Sequence, residues 1–531
     1  MLPFASSHLV HSVNEATALE SADAAPRTRR ESVLSRLSRF AQPLAVDRRL
    51  VLGCLAVVGL VVRFWDIGQR GFWLDELSAV GTSALSFGDL LQALTVEANM
   101  TLYYWTLFAW LRIVGLGADE AVIRAPSAVI GAAAIPLVYV LGRRLHSPAA
   151  GLAAAALLAV NSFHVLMSQE ARAYALLSSL TILSFILLDR ALQHGRRRDW
   201  ALHGLVIALA FYCHFYTALT ILAQGVLVLS RRSRAALIGM IGSGTVMAVL
   251  LAQLVPFFIR QSHGAKLSHL LPPDLGDAVN FFVNFSGGSR GALLLYVVLA
   301  AIGIAAAPVA RPVSYRNWLL LGWFFVPVGV AFGVSVFRPI FNDRYLFATL
   351  PALPLLAGVG VARLPRAAGL VVVAVVAGLS LWVLQGDFSV RRNEQWREAV
   401  AYSTGNSQPG DGWIFISKWG QNGFEYYGGW RWGTNPGAPY ADVFEPFDWR
   451  QAFNIPKYRG VISMAELERF AASHPRVWLV LSHEFDAMVG GATSEVIDTS
   501  APVRDWLTRH GYAASQRQFR FVGVLLYQRR A

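Results

Sequence analysis

Short polar stretches interrupt an otherwise apolar chain, and they hold the residue types that proton transfer and anion binding require. The first is Trp73-Leu74-Asp75-Glu76. The second places His164 ahead of Ser168-Gln169-Glu170-Ala171-Arg172. Tyr212, His214 and Tyr216 form a third, Lys266 between His263 and His269 a fourth, and Asn342-Asp343-Arg344-Tyr345 a fifth. Each has a plain reading on its own. Asp75 and Glu76 could be solvated loop acids, and Arg344 an interfacial anchor. Glu170 and Arg172 could be a snorkelling pair, since a spacing of two does not share a helical face. Tyr103, Tyr104 and Trp105 fit an aromatic belt. Taken jointly, carboxylates and arginines gathered at one bilayer interface suit a site that handles an anionic substrate and moves a proton.

The elements that must position these residues are membrane helices. Of 531 residues, 55% are hydrophobic and 15% charged, and the mean hydropathy is +0.45. The apolar residues come in blocks, at 50–63, 121–142, 149–167, 171–188, 235–259, 292–309, 319–337, 345–361 and 369–384. A central charge costs about 2.5–3.5 kcal/mol on insertion scales, so their near-absence from these blocks is informative. The pattern predicts a polytopic α-helical membrane protein of roughly 11–13 transmembrane helices. The net charge of +13 comes from arginines in short loops, which reads as topology rather than a nucleic-acid footprint. The two cysteines, Cys54 and Cys213, both sit in apolar segments, so neither a disulfide framework nor a thiolate metal site is expected.

The positive-inside rule puts Arg143 with Arg144, Arg190 with Arg196, Arg231 with Arg234, Arg311 with Arg316, and Arg363 with Arg366 in the cytoplasm. Neighbouring clusters are separated by two spans, so loops 161–170, 211–216, 260–291 and 338–344 face outward together. Segment 102–114 is read as a juxtamembrane or re-entrant helix inside a first outer loop, 65–119. The predicted organisation is a disordered cytosolic tail at 1–48, a transmembrane domain at 49–384 and a soluble, extracytoplasmic α/β domain at 385–531. In that domain helices are expected at 393–402 and 464–472, a turn at Gln408-Pro409-Gly410-Asp411, and strands at 413–417, 477–482 and 521–527. His483, Glu484 and Asp486 follow a strand and read either as a surface metal or acid cluster or, more simply, as a solvated loop.

Over most of its length, and in order, the chain resembles the GT-C membrane glycosyltransferases, in particular the protein O-mannosyltransferase and aminoarabinose-transferase branch. Trp73 to Glu76 is similar to that branch's first acidic motif. Ser168-Gln169-Glu170-Ala171-Arg172-Ala173-Tyr174 is similar to the second and is the most specific match. Asn99-Met100-Thr101-Leu102-Tyr103-Tyr104-Trp105 resembles a segment that carries two prolines where Met100 and Thr101 stand here. Arg124-Ala125-Pro126-Ser127, Tyr212-Cys213-His214-Phe215-Tyr216 and Asp343-Arg344-Tyr345-Leu346 resemble further motifs.

The resemblance implies transfer of a sugar from a polyprenyl-phosphate carrier at the outer face of a bacterial cytoplasmic membrane, with inversion. The absence of a Gly-rich phosphate loop from the sequence agrees with a donor that is not a nucleotide sugar. Asp75 is then expected as general base, with Glu76 as its alternative and Glu170 as a positioning carboxylate. Arg344, supported by Arg172, Lys266 and Tyr345, would bind the donor phosphate. Asn99, Tyr103, His164, Gln169, His214 and Tyr216 are expected around the substrates. Asp75 and Glu170 are the ligands if a divalent cation such as Mg²⁺ or Mn²⁺ takes part. The partners implied are the lipid-linked sugar donor, a glycan, lipid or protein acceptor and membrane lipid, with no nucleic acid. The rival readings are a transporter or flippase of lipid-linked sugars and a receptor whose function lies in residues 385–531.

Overall fold

The computed structural model describes residues 47–96, 99–261, 272–305, 315–390, 394–415, 418–428, 443–444, 464–482 and 500–529. The tail before residue 47, Lys266 with its flanking histidines, and His483, Glu484 and Asp486 lie outside them. Arg48–Ala531 makes up one compact unit.

In chain order, the apolar blocks fold as α1 (Arg48–Phe64), α2 (Leu74–Ala84), α3 (Phe87–Val96), α4 (Thr101–Val114), α5 (Glu120–Leu145), α6 (Pro148–Val160), α7 (Ser162–Ser168), α8 (Tyr174–His194), α9 (Arg197–Cys213), α10 (Thr217–Ser230), α11 (Arg234–Leu251), α12 (Val255–Gln261), α13 (Leu275–Phe285), α14 (Arg290–Ala305), α15 (Tyr315–Ser335), α16 (Ala352–Val361) and α17 (Arg366–Val390). Local chemistry sets several boundaries. Asp119 and Ser147 cap α5 and α6 by accepting from Val122 and Ala150 backbone N–H groups. Gly195, at φ +65°, ends α8 in the left-handed conformation.

Among the described residues, five helices are long and apolar enough to cross a bilayer, or seven if each of two bent pairs counts as one span. That is fewer than the 11–13 expected, for two reasons. Several apolar blocks fold as helices under 18 residues, such as α1 with 17 and α10 with 14. Others are broken: α6 meets α7 at 62° and α13 meets α14 at 77°. The outward face of α11 carries Ile238, Ile241 and Val249 in the open, and α17 exposes Leu370, Val371 and Val375. Lipid is the solvent for such faces.

Small residues bring helices close. A Cβ on Gly142 would lie 2.8 Å from the Gly151 Cα, which joins α5 to α6. Residues 65–119, expected as an outer loop holding one helix at 102–114, contain two more helices, α2 and α3. Segment 102–114 folds as the 14-residue α4, about 21 Å long and too short to span.

The C-terminal part is an α/β domain. Trp396–Asn406 (α18), Gly412–Phe415 (β1), Lys418–Tyr427 (α19), Val443–Phe444 (β2), Met464–Ser473 (α20), Arg476–Ser482 (β3), Ala501–Arg509 (α21), Tyr512–Phe519 (β4) and Val522–Arg529 (β5) follow one another. The five-stranded sheet has the order β2-β1-β3-β5-β4. β1 runs parallel to β2 and β3, whereas β5 runs antiparallel to β3 and β4. Strand alternation splits the core. Ile414, Leu479, Leu481 and Leu525 pack with Leu467, Ala471, Val503 and Leu507 of α20 and α21. Trp413, Phe415, Trp478 and Val480 belong to the core that includes Trp396, Val400 and Phe424 of α18 and α19. The expected turn closes with Asp411 N–H donating to the Gln408 carbonyl at 3.1 Å, and Gly410 supplies φ +87°.

Candidate active site

Neighbouring carboxylates in the first turn of α2 sit in opposite surroundings. Glu76 is fully buried, and Arg124 of α5 grips it with two parallel bonds, Nε to Oε1 at 2.7 Å and Nη2 to Oε2 at 2.6 Å. The Ala171 backbone N–H adds a third bond to Oε1 at 2.8 Å. Arg124 gives its remaining protons to the carbonyls of Ile67, Arg70 and Gly71, and its guanidinium lies 4.8 Å from the centre of the Phe72 ring. One ion pair therefore shapes the peptide leading into α2 and ties it to the segment between α7 and α8.

Asp75, by contrast, keeps 39% of its side chain exposed and meets Arg172 through one contact, Nη2 to Oδ2 at 3.3 Å. Arg172 also donates to the Asp75 carbonyl at 3.2 Å, and its buried Nε has no hydrogen-bond partner. Arg344 stacks on Trp73, 4.4 Å from the ring centre. Burial pulls the Arg344 guanidinium down, but Glu170, Tyr174 and Asp75 outweigh it and hold it above its ordinary value. Arg172 behaves alike: burial opposes its charge, and Asp75 leads the groups that more than restore it. Burial and then Asp75 push the Tyr345 phenol up, so it stays a donor. Two fixed cations thus face two carboxylates and a set of phenols.

The His214 ring lies 5.1 Å from Tyr345 and 5.3 Å from Tyr216, centre to centre. Its Nδ1 accepts from the Tyr216 backbone N–H at 3.2 Å, which assigns the proton to Nε2. That Nε2 is buried without a partner. Burial, with Arg172 second, lowers the imidazole to about 3, so it is neutral. The Arg344 segment is held by its own turn, Arg344 N–H to Asn342 Oδ1 at 3.0 Å, and by Asn284 Nδ2 donating to Asp343 at 2.6 Å.

Four of the expected residues lie around this cluster in supporting positions. Gln169 donates to the Arg63 and Trp65 carbonyls and accepts from Arg70. His164 faces Arg63 Nη2 at 2.8 Å and Ser178 at 3.2 Å inside the helices. Asn99 accepts from the Phe215 backbone N–H at 3.3 Å, and Tyr103 pairs with Ser127 at 2.8 Å. Glu170 and Arg172 lie in bends between α7 and α8, so helical spacing never governed their meeting. Arg124, Trp73 and Arg63 carry more of the architecture than their motifs suggested. The available signal was a lone arginine at the edge of an apolar block, which requires buried partners.

A cavity of about 120 Å³ adjoins the cluster, lined by Arg70, Trp73, Glu170, Ser162, Asn284 and Gly288 among others. The Trp73 Nε1–H is buried without a partner. Gly288, at φ +83°, marks the bend between α13 and α14. For a divalent cation the donor set is a poor fit: Asp75 is paired with Arg172, and Glu170 acts on Arg344, so guanidinium charge already meets both carboxylates. No group of three His, Cys, Asp or Glu residues gathers in a metal-binding arrangement among the described residues.

The fold is that of the GT-C membrane glycosyltransferases. ArnT from Cupriavidus metallidurans in the apo state superposes with a TM-score of 0.60 at 13% identity, over 89% of this chain and 97% of that one. The same protein bound to undecaprenyl phosphate gives 0.59 at 13% identity, with the same coverage. The Archaeoglobus fulgidus oligosaccharyltransferase AglB, in complex with an inhibitory peptide and a dolichol-phosphate, gives 0.51 at 12% identity over 90% of this chain and 74% of that one. In sequence, residues 99–259 match the family described as dolichyl-phosphate-mannose-protein mannosyltransferase. No curated protein matches the chain by sequence.

Proposed function

We propose that the protein transfers a sugar from a polyprenyl-phosphate carrier to an acceptor at the outer face of a bacterial cytoplasmic membrane, with its C-terminal domain on that same side. The carrying observation is the split between Asp75, open beside buried Arg172 and half-buried Arg344, and Glu76, sealed by Arg124. A carboxylate that is reachable and flanked by preorganised cations can take a proton while charge builds on a leaving phosphate. Lipid phosphates bound by ArnT and AglB support the donor class.

In this reading the acceptor O–H or N–H gives its proton to Asp75, and the acceptor attacks the anomeric carbon. The bond from that carbon to the phosphate oxygen breaks on the opposite face, inverting the centre. Polyprenyl phosphate leaves with the electron pair, onto Arg344 and Arg172, and Tyr345 and neutral His214 add donors. Glu170 positions the acceptor and Arg344. Glu76 serves as a strut. No step is routed through a metal ion.

The cavity takes the sugar ring. Its volume corresponds to roughly ten water positions, and Arg70, Glu170 and Asn284 among its lining residues supply polar groups for hydroxyls. Transport of a lipid-linked sugar would use broken helices, and two are present. Of the ionisable groups beside the α6 break, Arg63 gives its Nη protons to the Gly59, Ala159 and Leu158 carbonyls and to His164, which marks the pair as a brace.

The test is release of polyprenyl phosphate from a panel of labelled polyprenyl-phosphate sugars by the purified protein in nanodiscs, with and without Mg²⁺ or Mn²⁺. Release that disappears in Asp75→Asn supports transfer. Release that survives in that variant removes Asp75 as the base, and flipping in liposomes without release would establish the transport reading instead.

A further inference from the structure

The peptide entering α2 is held from two sides. From within the membrane domain, Arg124 binds the carbonyls of Ile67, Arg70 and Gly71. From the C-terminal domain, the Tyr427 hydroxyl accepts the Phe72 backbone N–H at 2.7 Å and donates to Glu120 Oε1 at 2.9 Å. Arg397 of α18 pairs with the same Glu120 oxygen and donates to the Gly68 carbonyl. Tyr426 donates to the Ala118 carbonyl at 2.9 Å, and its ring lies 5.0 Å from that of Phe72. These polar contacts converge on the stretch that ends in Trp73, the platform for Arg344, and on the start of α5, which carries Arg124.

We propose that the C-terminal domain is a working part of the active site, with Tyr427 as the positioning residue through which it sets Trp73, Arg344 and Asp75. A hydroxyl that joins a backbone N–H to a carboxylate fixes Phe72 along the chain direction, and Phe72 is one bond from Trp73. Burial, with Glu120 second, raises the Tyr427 phenol well above its ordinary value, so the group keeps the proton it donates. A residue of α19 thereby acts on chemistry in α2 without touching substrate. Small displacements of a platform matter because catalytic groups tolerate little misplacement.

This rests on the transfer reading, and the experiment separates the two. Tyr427→Phe keeps the ring and removes both hydrogen bonds. Hydrogen exchange of the full chain in nanodiscs is expected to rise in peptide 66–76 and to stay unchanged in strands β3 and β5. In the polyprenyl phosphate release assay, kcat is expected to fall roughly 10- to 100-fold while the donor KM changes less than about twofold. Tyr426→Phe, which loses only the Ala118 contact, is expected to keep kcat within about twofold. Should Tyr427→Phe not fold, Glu120→Ala removes the acceptor of the same hydroxyl and carries the same expectation for exchange in peptide 66–76 and for kcat. Unchanged exchange in peptide 66–76 would overturn the proposal. So would increased exchange with an unaltered kcat, or a parallel loss of kcat, donor affinity and melting temperature. If no donor on the panel is turned over by wild type, the transfer reading has failed, and the exchange result still reports on the coupling.

Discussion

Asp75 with Arg172 and Glu76 with Arg124 are two acid–arginine pairs one peptide bond apart, built of the same chemical groups. The second is bidentate and dry, with side-chain exposures of 3% for Arg124 and 1% for Glu76. The first has one 3.3 Å contact and a 39% exposed carboxylate. Taking charges out of water is expensive, and the Glu76 pair meets that cost with a further backbone donor and three carbonyl acceptors. The Asp75 pair leaves room for a reacting group. Burial and the number of partners, rather than residue type, separate the sealed pair from the open one that we propose as the reagent.

Variants that exchange these roles probe the contrast. The largest effect is expected from Asp75→Asn, which should lower kcat by about 10²–10⁴-fold with an unaltered melting temperature in the release assay. Wild-type turnover in that variant would erase the distinction. Arg124→Leu strands a buried carboxylate and should cost about 3–5 kcal/mol of stability, read as a lowered melting temperature and poor recovery of folded protein. A normal melt would mean the pair is not a brace. Arg344→Lys keeps the charge but replaces the planar fork by a point charge and weakens the stack on Trp73; a loss of about tenfold in kcat/KM is expected. The smallest effect concerns pH. Burial and Arg172 disfavour the His214 cation and lower the group to about 3, so it takes up a proton only in that region. The rate profile between about pH 5 and 8 should therefore keep its shape in His214→Gln, whereas an ordinary histidine would add an inflection near 6.5.

Much of this was legible in the sequence. Apolar block length gave the membrane class, and strand and turn patterns placed β1, β3, β5 and α20 within a few residues. Loop parity placed the segments of Asp75, Glu170 and Arg344 on one side of the membrane, and the resemblance assigned them with Arg172 to one site. What was not legible depends on tertiary partners. Nothing in Asp75-Glu76 says which carboxylate turns inward, because that is decided by Arg124, 48 residues further on. β4 was missed because all but its ends is exposed, which hides the alternation that marks a half-buried strand. Within residues 65–119 the sequence signals the helix at 102–114 but not α2 and α3, which at 11 and 10 residues are short enough to resemble polar punctuation between spans.

The sheet order has a consequence for how the protein is made. β5 lies between β3 and β4, paired with β3 from Arg476 opposite Gln528 to Ser482 opposite Val522. It is synthesised after the other four strands, yet it occupies an interior place. The Gln395 N–H also waits for the Arg520 carbonyl of the β4–β5 turn. Chains emerge at about 5–20 residues per second and fold N-terminal parts first, so the membrane helices are inserted while the sheet is still missing a central strand. Until β5 is made, the spans are in place while β3 and β4 have no strand between them and the Gln395 N–H ahead of α18 lacks its acceptor.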